Sequence, residues 1–163
     1  MQWGKRRKKM ERIPNNEEMR RWSDHIPLRW RYTAGVAGDR FLQLLKQGKI
    51  QGSVCKRCGK TYIPPKIYCK DCFVQIDDWR DVPEGSAYLY SFTELKDSGD
   101  AGSTTVALVK FEGFEGGILA KLKLASRETP RIGMKLNPVF KPKDLRKGDL
   151  SDISHFEKLR SPP

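Results

Sequence analysis

At 163 residues the chain is long enough for one ordinary domain or two small ones, and with hydrophobic residues at 37% and charged residues at 32% its core is modest and its surface heavily charged. No apolar run approaches the ~20 residues of a membrane helix, and no apolar segment follows the basic N-terminal cluster as a secretory signal requires, so a soluble cytoplasmic protein without membrane contact is expected. The formal charge of +12 raises nucleic acid as a partner, but residues 1–50 hold 13 basic and five acidic side chains while residues 81–135 hold seven and eight, so the excess is N-terminal.

Residues 1–49 read as a basic arm followed by helices. Lys5, Arg6, Arg7, Lys8 and Lys9 form a run of the kind that stays solvated. A short helix is expected to open at Asn15 or Asn16, with Glu17 and Glu18 in its first turn, where the helix dipole favours negative charge. It ends before Pro27, and "PLRWRYTAGVAG" reads as an extended connector anchored by Trp30 and Tyr32. A second helix is expected over 39–47, with Asp39 as N-cap and Phe41, Leu42, Leu44 and Leu45 building one apolar stripe. Gly48 stops it. The stripe suits the protein's own core or a partner, the core being favoured.

Residues 50–80 hold all four cysteines, in "VCKRCGKTYIPPKIYCKDC". Cys55 and Cys58 form one CxxC pair, and Cys69 and Cys72 a second. Each pair makes a tight turn that aims two sulfurs at one point, and Gly59 permits the backbone such a knuckle needs. Four thiolates in this arrangement match the closed tetrahedron that Zn²⁺ prefers. Iron is the rival, held by the same knuckles in rubredoxins, but nothing else in the chain points to electron transfer. A closed site leaves no vacancy for a reacting water, and His25 and His155 lie far away in sequence, so the metal is read as structural. The segment has few large apolar side chains, and ligation can supply on the order of 10 kcal/mol to such a module. "IPP" at 63–65 stiffens the hairpin, and Trp79 is expected to pack between ribbon and barrel.

Beyond the ribbon the pattern turns β. Short strands are expected within 86–95, 103–113, 116–124 and 135–142, separated by Gly-, Asp- and Ser-rich turns. Residues 81–142 are therefore expected to close into a small barrel, which removes exposed sheet edges. Tyr88, Tyr90 and Phe92 alternate in one strand and should share its core face. Residues 143–163 are polar and read as a loosely packed tail.

The stretch from "GDRFLQLLKQGKI" through both cysteine pairs, Trp79 and Gly85, to "IGMKLNPVF" resembles the zinc-ribbon/OB-fold family known as domain of unknown function 35, the acyl-CoA-associated OB-fold proteins. The resemblance covers residues 38–142. It implies a mainly β fold with N-terminal helices, in which a rubredoxin-like zinc ribbon leads into a small OB-fold barrel. It also implies a non-catalytic adaptor of thiolase-superfamily or hydratase enzymes, in a hetero-oligomer with CoA or acyl-CoA near the interface. In archaea such a protein bridges acetoacetyl-CoA thiolase and HMG-CoA synthase in the mevalonate pathway of isoprenoid biosynthesis. The high Lys, Arg and Glu content and low Gln content favour that thermophilic setting.

In this reading the helix at 39–47 and the ribbon present the docking surface. Lys56, Arg57 and Lys66 either meet CoA phosphates or simply keep the ribbon soluble. The alternative is an OB-fold nucleic-acid binder using Tyr88, Tyr90, Phe92 and Phe111 as a stacking platform. The near-neutral barrel segment counts against it. No acid–base or nucleophile constellation marks a stand-alone enzyme.

Overall fold

The computed structural model describes residues 32–96, 103–126 and 128–159. The basic arm, the helix expected at Asn15 or Asn16, His25 and Trp30 lie outside them. The chain divides into two units, Met1–Thr33 and Ala34–Pro163, and the fold is that of the second.

Helix α1 spans Gly35–Gln47, and its buried residues Ala37, Phe41 and Leu45 recur every four positions, the spacing of one helical face. That face goes inward: Phe41 and Leu45 join Leu89, Val109, Leu136 and Phe156 in the main core. Gly48, at φ 81, ends the helix and donates its N–H to the carbonyls of Leu44 and Leu45. The N-terminus differs from expectation. The helix starts at Gly35 with Ala34 as N-cap and no side-chain cap, so Asp39 lies within it. Burial of Ala37 outweighs the poor helix propensity of "GVAG".

The ribbon sheet contains β1 (Gln51–Val54), β2 (Thr61–Ile63) and β3 (Asp78–Asp81), with β1 paired antiparallel to both neighbours. Its fourth strand, β6 (Glu115–Gly116), comes from the barrel and pairs parallel with β2, Tyr62 against Glu115 and Ile63 against Gly116. The Thr61 hydroxyl donates to the Gly113 carbonyl at the same seam. Glycine is required at 116, where φ is 96 and a Cβ would collide with the Ile63 carbonyl oxygen. Ribbon and barrel are thus joined through backbone.

The barrel comprises β4 (Ala87–Lys96), β5 (Ser103–Phe111), β7 (Ile118–Lys123), β8 (Leu136–Phe140) and β9 (Ile153–Lys158), in the order β4-β5-β7-β9-β8. The β7–β9 pair is parallel and the other pairs are antiparallel. A bridge between Tyr88 and Lys135 and the Leu89 N–H bonded to the Met134 carbonyl at 2.9 Å bring β4 to β8. The result is a mainly β protein, a zinc ribbon followed by a small OB-type barrel, with one helix among the described residues.

Two expectations about the barrel are corrected. Residues 143–159 are not a loose tail: they run through 3-10 turns at Lys143–Leu145 and Leu150–Asp152 into β9, which inserts between β7 and β8. Phe156 is fully buried, with its ring 6.4 Å from that of Phe111 at 61°. The fully buried Asp152 carboxylate accepts the N–H groups of Lys147 (2.8 Å), Gly148 (2.7 Å) and Asp149 (3.3 Å), tying the turn together. The aromatic trio of β4 also splits. A bulge at Tyr90 shifts the register, so that Leu89 faces Val109 but Ser91 faces Leu108 and Phe92 faces the buried Ala107. A one-residue slip moves everything beyond it to the other face. Tyr90, next to the fully buried Leu89, points outward, 46% exposed, with the Lys110 ammonium 3.6 Å from its ring centroid. Phe92 beyond the bulge is itself 38% exposed, so the expected shared core face does not form.

Candidate metal centre

Both cysteine pairs sit in turns with the same hydrogen bonds. In the first, Cys55 N–H donates to the Lys60 carbonyl at 2.8 Å and Gly59 N–H to the Cys55 carbonyl at 2.7 Å. In the second, Cys69 N–H donates to the Val74 carbonyl and Phe73 N–H to the Cys69 carbonyl, both at 3.0 Å. The residue after each pair has positive φ, 73 at Gly59 and 54 at Phe73.

The turns bring all four sulfurs of Cys55, Cys58, Cys69 and Cys72 within 4.8 Å of one another, with Cys58 and Cys69 at 3.6 Å. A tetrahedron with metal–sulfur bonds of about 2.3 Å has edges of about 3.8 Å, so the donor set fits zinc. Cys55 and Cys69 are buried, Cys72 is half-buried and Cys58 is exposed. The module is a zinc-binding ribbon whose ion serves structure. An ion held by all four sulfurs would have a filled coordination sphere, with no position for a reactant.

The surroundings favour thiolate at Cys69. The buried Tyr62 hydroxyl lies 3.3 Å from Cys69 Sγ, and Cys72 N–H donates to the same sulfur at 3.4 Å. The Tyr62 hydrogen bond, more than any other contact, holds the Cys69 thiol down at about 6. Cys72 is pushed up to about 12, first by its hydrogen bond with Cys58. Tyr62, Ile76, Cys55 and Cys69 make a small second core around the centre. Outside it, Lys60 bridges Asp71 (2.9 Å) and Glu115 (3.4 Å), and Lys70 also reaches Glu115 (2.5 Å), linking both knuckles to β6. Asp71 raises the Lys60 pKa above its usual value.

The other expected residues fall as follows. Lys56 is engaged by Asp77 at 3.0 Å, Lys66 lies over the Tyr62 ring at 5.0 Å, and Arg57 is exposed. Trp79, expected between ribbon and barrel, instead carries the Arg40 guanidinium of α1 over its ring at 4.3 Å. His155 is half-buried on β9, its pKa lowered by burial and then by Lys123, and is not grouped with the cysteines. Tyr62 and Phe73 were not singled out from the sequence. Superimposing "CKRCGK" on "CKDCFV" sets Phe73 at the place of Gly59, which is the signal that could have found it. No helix among the described residues is long and apolar enough to cross a membrane.

Residues 42–78 match the family model described as ChsH2, rubredoxin-like zinc ribbon domain. No curated protein sequence matches the chain. The structure of a Sulfolobus solfataricus protein with unknown function from the DUF35 family is 34% identical, with a TM-score of 0.58, over 64% of this chain and 78% of that one. The structure of Ltp2-ChsH2(DUF35) aldolase is 20% identical, with a TM-score of 0.50, over 73% of this chain and 91% of that one.

The expectation that the chain is not an enzyme is corrected by this second relative, since a protein of the same fold is part of a structure described as an aldolase. A saturated metal site excludes chemistry at the ion alone. It does not exclude a chain that completes a reaction centre formed by an assembly, and such a contribution leaves no acid–base constellation in one sequence. The ribbon match, the shared fold and 34% identity over 78% of the Sulfolobus relative together place the chain in the DUF35 family.

Proposed function

We propose that this chain is a subunit of an acyl-CoA-processing assembly, that it holds acetoacetyl-CoA thiolase to HMG-CoA synthase in the mevalonate pathway, and that Cys55, Cys58, Cys69 and Cys72 ligate the zinc that braces it. The observation that carries this reading is that two separate elements of a small fold expose large apolar side chains. The ribbon hairpin exposes Ile67, Tyr68 and Phe73, and the outer face of β4, β5 and β7 exposes Tyr90 and Leu119, the latter paired with Leu108. Exposed apolar surface of this kind marks interaction sites, and a subunit that joins two enzymes needs two. The aldolase relative supports carbon–carbon bond chemistry in such an assembly, the class to which both named enzymes belong. CoA is held mainly by the enzymes in this reading: Lys56, Lys60 and Lys70 of the ribbon are already engaged by Asp77, Asp71 and Glu115, which leaves few of its basic side chains, Arg57 and Lys66 among them, without an ion pair among the described residues.

A second reading, single-strand nucleic-acid binding, draws support from the outward Tyr90 beside Lys110, the aromatic-plus-cation pattern of such surfaces. The near balance of basic and acidic residues over 81–135 opposes it. Calorimetric titration with each purified enzyme and with a thymidine oligonucleotide, at about 0.15 M salt, tests both. Micromolar or tighter binding to the enzymes and none to the oligonucleotide is expected. Salt-sensitive oligonucleotide binding without enzyme binding would overturn the assembly reading.

A further inference from the structure

The two knuckles match hydrogen bond for hydrogen bond yet differ at one equivalent position, Gly59 in the first and Phe73 in the second. Glycine adopts positive φ freely, whereas a residue with a Cβ spends roughly 1–2 kcal/mol there. A bulky side chain at φ 54 is unusual. Internal packing does not offset that cost: Phe73 is 82% exposed and belongs to neither core cluster. The fold therefore holds an aromatic ring in water, on a backbone fixed by two knuckle hydrogen bonds and the adjacent sulfur cluster.

The same hairpin is closed by the Ile76 N–H bonded to the Ile67 carbonyl at 2.8 Å and by the Tyr68–Gln75 bridge. It also exposes Ile67 at 41% and Tyr68 at 56%. An aromatic anchor on a rigid turn loses little conformational entropy on burial, which is the character of an interface hot spot.

We propose that Phe73, flanked by Tyr68 and Ile67, is the anchor by which this chain docks into an apolar, carboxylate-rimmed pocket on one of its partner enzymes. This rests on the assembly reading above. The charge of the surface selects a foreign partner over a second copy. The ribbon residues 51–80 carry six basic and three acidic side chains, so two tips meeting would bring like charge together. An acidic rim complements Arg57, exposed in the first knuckle, and Lys66, which directly precedes the hairpin; neither carries an ion pair among the described residues.

The test is Phe73→Gly in the full-length, zinc-loaded chain, titrated against purified acetoacetyl-CoA thiolase and purified HMG-CoA synthase. Glycine relieves the backbone, so the variant should keep its zinc and unfold at the wild-type temperature or above it. Its affinity for one of the two enzymes should fall by about 30-fold or more, the scale of a hot-spot truncation. Tyr68→Ala, which leaves the knuckle untouched, should weaken the same complex by about tenfold. Wild-type affinity in both variants would overturn the docking site while leaving the assembly intact. A wild-type chain that binds neither enzyme would overturn the assembly, and with it the occupant named for this surface. Self-association abolished by Phe73→Gly would make the occupant a second copy and overturn the choice of a foreign partner.

Discussion

Replacing Phe156 by alanine asks whether the last strand is part of the core. Its ring is fully buried and meets Phe111 edge-on at 6.4 Å. Truncation of a buried Phe costs about 3–5 kcal/mol, comprising lost transfer energy and the cavity left behind. The edge-to-face pair, about 0.5–1.5 kcal/mol, is contained in that figure. The cavity cannot close easily, because Phe156 is paired between Leu122 of β7 and Pro138 of β8, and Phe111 is itself fixed in the paired strand β5. A value of about 4 kcal/mol is therefore expected, a large share of the ~5–15 kcal/mol typical of a domain. In urea unfolding followed by far-ultraviolet circular dichroism, with a slope near 2 kcal/mol/M, the midpoint should fall by about 2 M. Leu150→Ala, at a residue 53% exposed in the preceding turn, should stay within about 0.5 kcal/mol of wild type. If Phe156→Ala moved the midpoint no further than Leu150→Ala, with the slope unchanged, β9 would not be a core strand.

Tyr62→Phe removes the hydroxyl beside Cys69 Sγ while keeping the ring. Zinc affinity, measured by competition with a chromogenic chelator, should weaken by about tenfold, and an unchanged affinity would mean that the contact does not support the sulfur. Asp152→Asn replaces a carboxylate that accepts three backbone N–H groups and should cost about 1–3 kcal/mol. Burial opposes ionisation of Asp152, yet the Lys147, Gly148 and Asp149 N–H groups outweigh it and hold the carboxyl below the usual carboxylate range. A folded pKa below the unfolded value of about 3.9 stabilises the protein above that pH and stops doing so as pH falls through the folded value. The stability gap between wild type and Asp152→Asn should therefore narrow as pH drops from about 5 to about 3. A gap constant over that range would refute the assignment.

The parts of this fold legible in the sequence were those with unbroken local periodicity. The Phe41–Leu45 face, the Gly48 stop, the paired CxxC turns and the four strands before residue 142 all follow from spacing and turn residues. What escaped was hidden by interruptions of that periodicity. Ile153 and Phe156 are three apart, not two, because β8 pairs Val139 with His155 but Phe140 with Ile153, leaving Ser154 as an extra residue. The bulge at Tyr90 likewise parts Phe92 from Tyr88 and Tyr90. The β2–β6 seam is two residues long and joins segments more than fifty positions apart, so no local pattern announces it. Of the metal centre, the sulfurs were readable, whereas Tyr62 required knowledge of which strand covers them.

Whether this chain joins two enzymes can be measured directly. Purified acetoacetyl-CoA thiolase and HMG-CoA synthase can be sedimented in the analytical ultracentrifuge, at micromolar concentration, with and without the zinc-loaded chain. The enzymes should sediment independently when the chain is absent and as one faster species containing all three components when it is present. Enzymes that stay apart in its presence, or associate equally well without it, would contradict the assembly reading.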